Sequence, residues 1–213
     1  MSLQLRTVDL KTGSDSLLVM LPGAYMQPED FVTAGFFTAL EQSAQQLDLC
    51  LVDLDLAVIS GGTALPALQQ QILEPARKDY RRVWLGGISL GGLLALCQAV
   101  DHPGTVDGLC LIAPYPGSRL TTGAIARAGG LDHWTPSAEQ RADPEFRVWH
   151  WLQSPPLDLP VFIGYGTEDR FADGMRQMAD RFPASTGCAV AGGHDWAAWQ
   201  LLWQHFLDLG HFN

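Results

Sequence analysis

Short apolar runs bounded by turn residues alternate along this chain with longer segments of helical period. An apolar run without polar alternation must be covered on both faces. A mostly parallel sheet between two layers of helices is the arrangement that does so, because each parallel pair needs a crossover and the crossovers supply the cover. Residues 17–21, 49–54, 82–86, 108–113, 161–165 and 187–190 read as such strands, and residues 3–9 alternate like a half-exposed edge strand. Between them, residues 30–47, 64–80, 90–100, 172–182 and 195–209 read as helices. The expected fold class is therefore α/β, a three-layer sandwich with a mostly parallel central sheet. Right-handed crossovers would place every strand-to-helix turn on the carboxyl edge of that sheet, where open α/β folds put their ligands.

The length, 213 residues, suits a single domain over residues 1–213. Hydrophobic residues make up 47% and charged residues 17%, enough for a substantial core and too apolar for disorder. The formal net charge of −10 provides no cationic surface for phosphates, so nucleic acid is not an expected partner. No apolar run approaches the ~18 residues of a membrane span. Residues 1–11 lack the basic start and apolar stretch of a secretory signal, so the expected location is the cytoplasm, with a mature form stripped of its signal as the alternative. Cys50, Cys97, Cys110 and Cys188 form no close pair of the kind a zinc knuckle or redox motif needs, and each lies in an apolar segment; they read as buried, reduced thiols. Nothing in the residues sets an oligomeric state.

One stretch breaks the alternation. From 114 to 160 there is no obvious strand, and prolines recur at 114, 116, 136, 144, 155, 156 and 160. Short helices are expected at 125–128 and 145–152, the second carrying Phe146, Trp149, His150 and Trp151. The segment is too aromatic for a linker. Residues 117–156 read as a small cap insertion over one end of the sheet, with Phe146, Trp149 and Trp151, together with Tyr25, as candidate walls of a substrate pocket.

The most informative segment runs Val83-Trp84-Leu85-Gly86-Gly87-Ile88-Ser89-Leu90-Gly91-Gly92, an apolar strand entering a Gly-Ile-Ser-Leu-Gly turn and then a helix. A serine held at so sharp a turn occupies strained backbone, and the positions two before and two after must be nearly free of side chains for strand and helix to approach. Gly87 and Gly91 meet that need. The following helix offers free amides, including that of Leu90, to negative charge forming beside Ser89. A serine hydroxyl needs a base, and the base needs an orienting acid. Of the six histidines, His194 follows a strand end and the Gly192-Gly193 turn and precedes a helix, which puts it on the carboxyl edge with Ser89. His102, His133, His150, His205 and His211 read as surface or packing residues. Asp169 ends the apolar strand 161–165 through a short polar turn and is the expected acid, with Glu168 and Asp173 as alternatives.

These motifs, in the order Ser89, Asp169, His194, make the chain resemble an α/β-hydrolase over roughly residues 17–209. The Gly192-Gly193-His194-Asp195-Trp196 loop is similar to that of esterase-D-like and siderophore-esterase-like members. The resemblance implies a serine hydrolase that needs no cofactor and acts on a small-molecule acyl substrate, an ester or a thioester. It also implies an oxyanion hole built from the Leu90 amide and a second amide past the first central strand. Where many members carry His-Gly there, this chain has Leu21-Pro22-Gly23-Ala24-Tyr25; by position Ala24 supplies that amide, with Tyr25 as the alternative. The chain is short for the family and resembles a compact member lacking one or two leading strands. Acyl transfer or carbon–carbon bond hydrolysis by the same three residues is a rival within enzymes, and a catalytically silent binding protein is a rival outside them. Trp196, Trp199, Trp203 and Phe206 read as a helix face packed on the sheet, and Asp53 and Asp55 as a solvated turn rather than a metal pair.

Overall fold

A computed structural model describes residues 3–183 and 187–213. Seven strands form one sheet in the order β1-β3-β2-β4-β5-β6-β7: β1 (Thr7–Leu10), β2 (Ser16–Leu21), β3 (Asp48–Val52), β4 (Arg82–Ile88), β5 (Gly108–Ile112), β6 (Val161–Gly166) and β7 (Gly187–Val190). β1 pairs antiparallel with β3 at one edge, and the remaining pairs are parallel. The alternation of apolar residues along the strands divides the core in two. Leu17, Val19, Leu85, Leu109 and Ile163 face one helix layer, while Leu18, Met20, Trp84, Cys110 and Phe162 face the other.

The first layer holds α3 (Leu56–Ser60), α4 (Ala64–Leu68), α5 (Glu74–Asp79), α6 (Leu90–Asp101), α7 (Arg119–Arg127) and α9 (Pro144–Trp151). The second holds α1 (Pro28–Thr33), α2 (Phe36–Gln42) and α11 (Trp196–Asp208). α8 (Ala138–Ala142) belongs to the insertion, and α10 (Ala172–Ala179) sends Met175 to one core and Met178 to the other. The three-layer α/β sandwich is thus realised. On α11, Trp199, Trp203 and Phe206 are buried, and Trp203 stacks on Phe36 at 5.0 Å and donates its indole N–H to the Phe36 carbonyl at 3.1 Å. Each such ring contributes about 2–3 kcal/mol by burial.

The structure corrects several expected boundaries. The helix expected at 30–47 is two, because Gly35 takes a left-handed conformation (φ 85°) between α1 and α2. The segment 64–80 is interrupted by a π turn, Gln69–Leu73, between α4 and α5. Asp53 and Asp55 do lie in the turn after β3, with Asp55 exposed; the turn leads into α3, which Asp55 caps by accepting from the Val58 amide at 2.8 Å, while Asp53 pairs with Arg6 at 2.8 Å. The edge strand begins at Thr7 rather than residue 3. Within the insertion α7 spans nine residues, starting at 119 instead of 125, and α8 was not anticipated although Ser137 and Gln140 form a capping box at its start. Three cysteines are buried; Cys188 is only half-buried, because it lies on the outer strand β7.

Candidate active site

Register brings the sites of interest to one edge. Leu21 lies opposite Gly87 and Ile88 opposite Ile112, so β2, β4 and β5 end level, and Gly166 pairs with Val190 at the end of β6 and β7. Among the described residues, three non-glycine residues with positive φ, Tyr25 (64°), Ser89 (54°) and Ala113 (46°), follow the ends of β2, β4 and β5. Backbone strain of this kind is retained only where the surroundings fix it. Ser89 is fixed by its amide, which donates to the Ile112 carbonyl at 3.1 Å, and by its carbonyl, which accepts from the Tyr115 amide at 2.9 Å. A β-carbon at Gly87 would overlap the Gly91 backbone, and one at Gly91 would overlap the Leu21 carbonyl. The strand and helix approach closely here because those positions have no side chain.

The loops that carry Asp169 and His194 are tied together. Thr167 donates its amide to the Val190 carbonyl at 2.8 Å and Glu168 to the Gly192 carbonyl at 3.0 Å, while a β-carbon at Gly166 would overlap the Gly192 carbonyl. The result is a continuous hydrogen-bonded chain. A carboxylate can only accept, so His194 donates Nδ1–H to Asp169 Oδ2 at 2.5 Å, which leaves Nε2 to accept the Ser89 hydroxyl at 2.8 Å. The Asp169 side chain is 0% exposed and its second oxygen accepts the Phe171 amide at 2.8 Å, so the charge is out of water but fully partnered. The His194 side chain keeps 19% of its surface exposed and stays within reach of a small molecule. Glu168 is exposed and Asp173 pairs with Arg176 at 2.8 Å, so neither occupies the position of Asp169.

Two rings that the sequence did not single out for the site frame the imidazole edge to face: Phe171 at 5.6 Å and Trp199 at 5.2 Å. Trp199 is at once a core residue of α11 and a wall of His194. Its spacing of five from His194 was the available signal.

The loop after β2 runs directly against Ser89. A β-carbon at Gly23 would lie 3.5 Å from that of Ser89, and the Gly23 amide donates to the Met26 sulfur at 3.0 Å in a turn closed by Met26 N–H to the Gly23 carbonyl at 3.2 Å. Among the described residues the amides of Ala24, Tyr25 and Leu90 have no hydrogen-bond acceptor within the chain. Leu90 is the first residue of α6, so its amide is free as helix geometry requires. Tyr25 is 88% exposed and is not in the lining of the cavity described below.

A cavity of about 610 Å³ opens beside the chain of hydrogen bonds, lined by Tyr115, Ile125, Trp149 and Phe171 among others. Of the three aromatics expected from the insertion, Trp149 is in this lining, buried and donating its indole N–H to the Pro116 carbonyl at 2.7 Å. The other two are elsewhere: Phe146 stacks on Trp134 at 5.7 Å, and Trp151 lines a cleft with Val106 and Leu159 at the amino edge of the sheet. The insertion lies mainly over α6, with Arg147 of α9 paired to Asp101 at 2.9 Å. The remaining histidines are exposed, except His211, whose half-burial against Trp84 and Phe206 pushes its imidazole below the ordinary range.

Residues 65–207 match the sequence model of a family described as "Putative esterase". The chain belongs to this esterase family. Its members are ester hydrolases, and the fold is that of an α/β-hydrolase. A ferulic acid esterase is similar in structure, with a TM-score of 0.64 at 12% identity over 99% of this chain and 98% of that one. The S-formylglutathione hydrolase of Staphylococcus aureus superposes with a TM-score of 0.62 at 12% identity, covering 91% of this chain and 80% of its own. Alpha/beta hydrolase domain-containing protein 10 from mouse gives 0.58 at 20% identity over 96% and 93%. No curated protein sequence matches the chain. Among the described residues of this esterase-family chain, no helix is long and apolar enough to cross a membrane.

Proposed function

We propose that the chain cleaves a carboxylic ester or thioester through an acyl-enzyme formed on Ser89. The observation that carries this reading is the hydrogen-bonded sequence Asp169–His194–Ser89, with spacings of 2.5 and 2.8 Å, at the head of α6. His194 Nε2 takes the proton as Ser89 Oγ bonds to the acyl carbon, and returns it to the leaving oxygen or sulfur as the bond to that atom breaks. Water then repeats the sequence and releases the acid. Asp169 holds the tautomer in which Nε2 is free to accept, and its charge favours the imidazolium that forms. The Leu90 and Ala24 amides are the donors for the oxyanion; fixed donors of this kind contribute about 3–4 kcal/mol each in related chemistry. The insertion, residues 117–156, acts as a side wall to the substrate cavity through Trp149.

A fluorophosphonate probe tests this reading. Stoichiometric labelling at Ser89, abolished in Ser89→Ala and strongly slowed in His194→Ala, is expected. An unlabelled wild-type chain would favour a silent binding protein with the same fold.

A further inference from the structure

We infer that the cavity beside Ser89 selects substrates carrying a second, anionic group, a carboxylate, which pairs with Arg119 and Arg170; this rests on the hydrolase reading above. The two guanidinium groups come from different elements. Arg119 is the first residue of α7 and Arg170 lies in the loop between β6 and α10, and both line the cavity that Tyr115, Ile125, Trp149 and Phe171 make apolar. Phe171 also packs on His194, and the Tyr115 amide donates to the Ser89 carbonyl at 2.9 Å, so two walls of the cavity touch the residues of the hydrogen-bonded chain, which are not themselves in its lining. Arg127 stands nearby, its Nη1 3.3 Å from where a β-carbon on the cavity residue Gly123 would be.

No carboxylate among the described residues pairs with these arginines. The chain has 23 acidic and 13 basic residues, and seven of the bases pair with a carboxylate within 4.0 Å among the described residues. Lys78, Arg82, Arg119, Arg127, Arg141 and Arg170 do not, and of these six Arg119 and Arg170 line the cavity. Of the acids around them, Asp173 also lines the cavity but is offset by Arg176 at 2.8 Å, Glu145 accepts the Ser118 amide at 2.8 Å and the Thr121 hydroxyl at 2.6 Å, and Asp169 holds His194. Arg119 at the start of α7 adds to the positive end of the helix instead of offsetting it. Arg170 lies over the Phe171 ring at 4.6 Å, which holds its fork against the cavity wall. In a molecule of net charge −10 that repels anions at long range, this is a local positive pole next to an apolar cavity and a reactive hydroxyl. A carboxylate on a short apolar arm matches all three features, and two guanidinium donors bind it more strongly than neutral groups would.

The test compares matched pairs of substrates. Mono-4-nitrophenyl adipate against 4-nitrophenyl hexanoate places the charge on the acyl arm. 4-Acetoxyphenylacetate against 4-acetoxyphenylacetamide places it on the alcohol arm. In the wild type, kcat/KM for the anionic member should exceed that for its neutral partner about tenfold in one of the pairs, which identifies the arm. The ratio should fall several-fold in Arg119→Gln and in Arg170→Gln, approach one in the double variant, and stay unchanged in the control Arg141→Gln. Independently of any variant, the wild-type ratio should shrink as NaCl is raised from about 0.02 to about 0.5 M. A wild-type ratio of one or below in both pairs, or a ratio insensitive to both salt and the double substitution, would overturn the anion site while fluorophosphonate labelling of Ser89 persisted. Absence of that labelling would overturn the hydrolase reading itself.

Discussion

Ser89 stands at φ 54° and ψ −115°, a conformation that side-chain-bearing residues avoid. Glycine reaches it without strain, so Ser89→Gly should be more stable than Ser89→Ala by about 1 kcal/mol, measured by urea unfolding. Equal stabilities would mean that the Ser89 turn stores no strain. At Asp169 the orienting bond to His194 is the one buried, fully partnered charge of the site. Asp169→Asn should lower kcat by a factor on the order of 10⁴, the scale known for protease triads, because an amide can hold the wrong tautomer. Glu168→Gln, altering an exposed carboxylate, should change kcat less than twofold. A reversed ranking would move the acid to Glu168. These three residues were legible because the motif is local: two glycines around a serine, and an acid and a histidine each just past an apolar run. Phe171 and Trp199 were not, because a ring that touches a histidine across a loop has no sequence signature beyond its hydrophobicity.

Among the elements, β4, the Ser89 turn and α6 form a unit whose geometry depends on absent side chains. Gly91→Ala would drive a methyl group into the Leu21 carbonyl of β2, a backbone atom that cannot swing aside. It should cost about 3 kcal/mol and lower the melting temperature accordingly, whereas Gly104→Ala, with open space around it but φ of 80°, should cost about 1 kcal/mol. β3 is anchored differently. Asp48 Oδ1 accepts the amides of Thr12, Gly13 and Ser14 at 2.8, 3.1 and 3.2 Å, and Oδ2 accepts the Tyr80 hydroxyl at 2.8 Å. Burial alone would push this carboxyl up, but the bonds from Tyr80, Thr12 and Ser14 outweigh it and hold it below its ordinary value. The stability it contributes is present above the unfolded carboxyl's value, near 3.9, and is lost as pH falls below that through the folded one. Urea unfolding at pH 7 and pH 3 should therefore show a larger loss for the wild type than for Asp48→Asn, with equal losses contradicting the anchor. Strands were read from the sequence nearly in place, since two-sided burial leaves uninterrupted apolar runs. Helices on the surface layers were read less well: Gly35, Asp55 and the π turn at 69–73 act through backbone conformation, which an apolar count does not register.

For the whole molecule, the sheet and its edge were legible, and the insertion was legible as an interruption but not in its placement. Three nearby aromatics suggested one wall, yet Trp149, Phe146 and Trp151 meet different neighbours, Pro116, Trp134 and Phe182. Trp149→Ala should cost about 3–5 kcal/mol and shift the preference among esters, because the ring is buried beside the cavity. Trp151→Ala should leave that preference unchanged, since its cleft is at the opposite edge of the sheet. An altered ester preference in Trp151→Ala would show that the two edges are coupled. The central claim is that an acyl group passes through Ser89, and trapping it is the most direct measurement. The chain is mixed with 4-nitrophenyl acetate, quenched in acid within milliseconds, digested and mapped by peptide mass spectrometry. Acetyl on Ser89 in the wild type, and none with turnover gone in a folded Ser89→Ala variant, is the expected result; full turnover in Ser89→Ala, or acetyl confined to another residue, would contradict it.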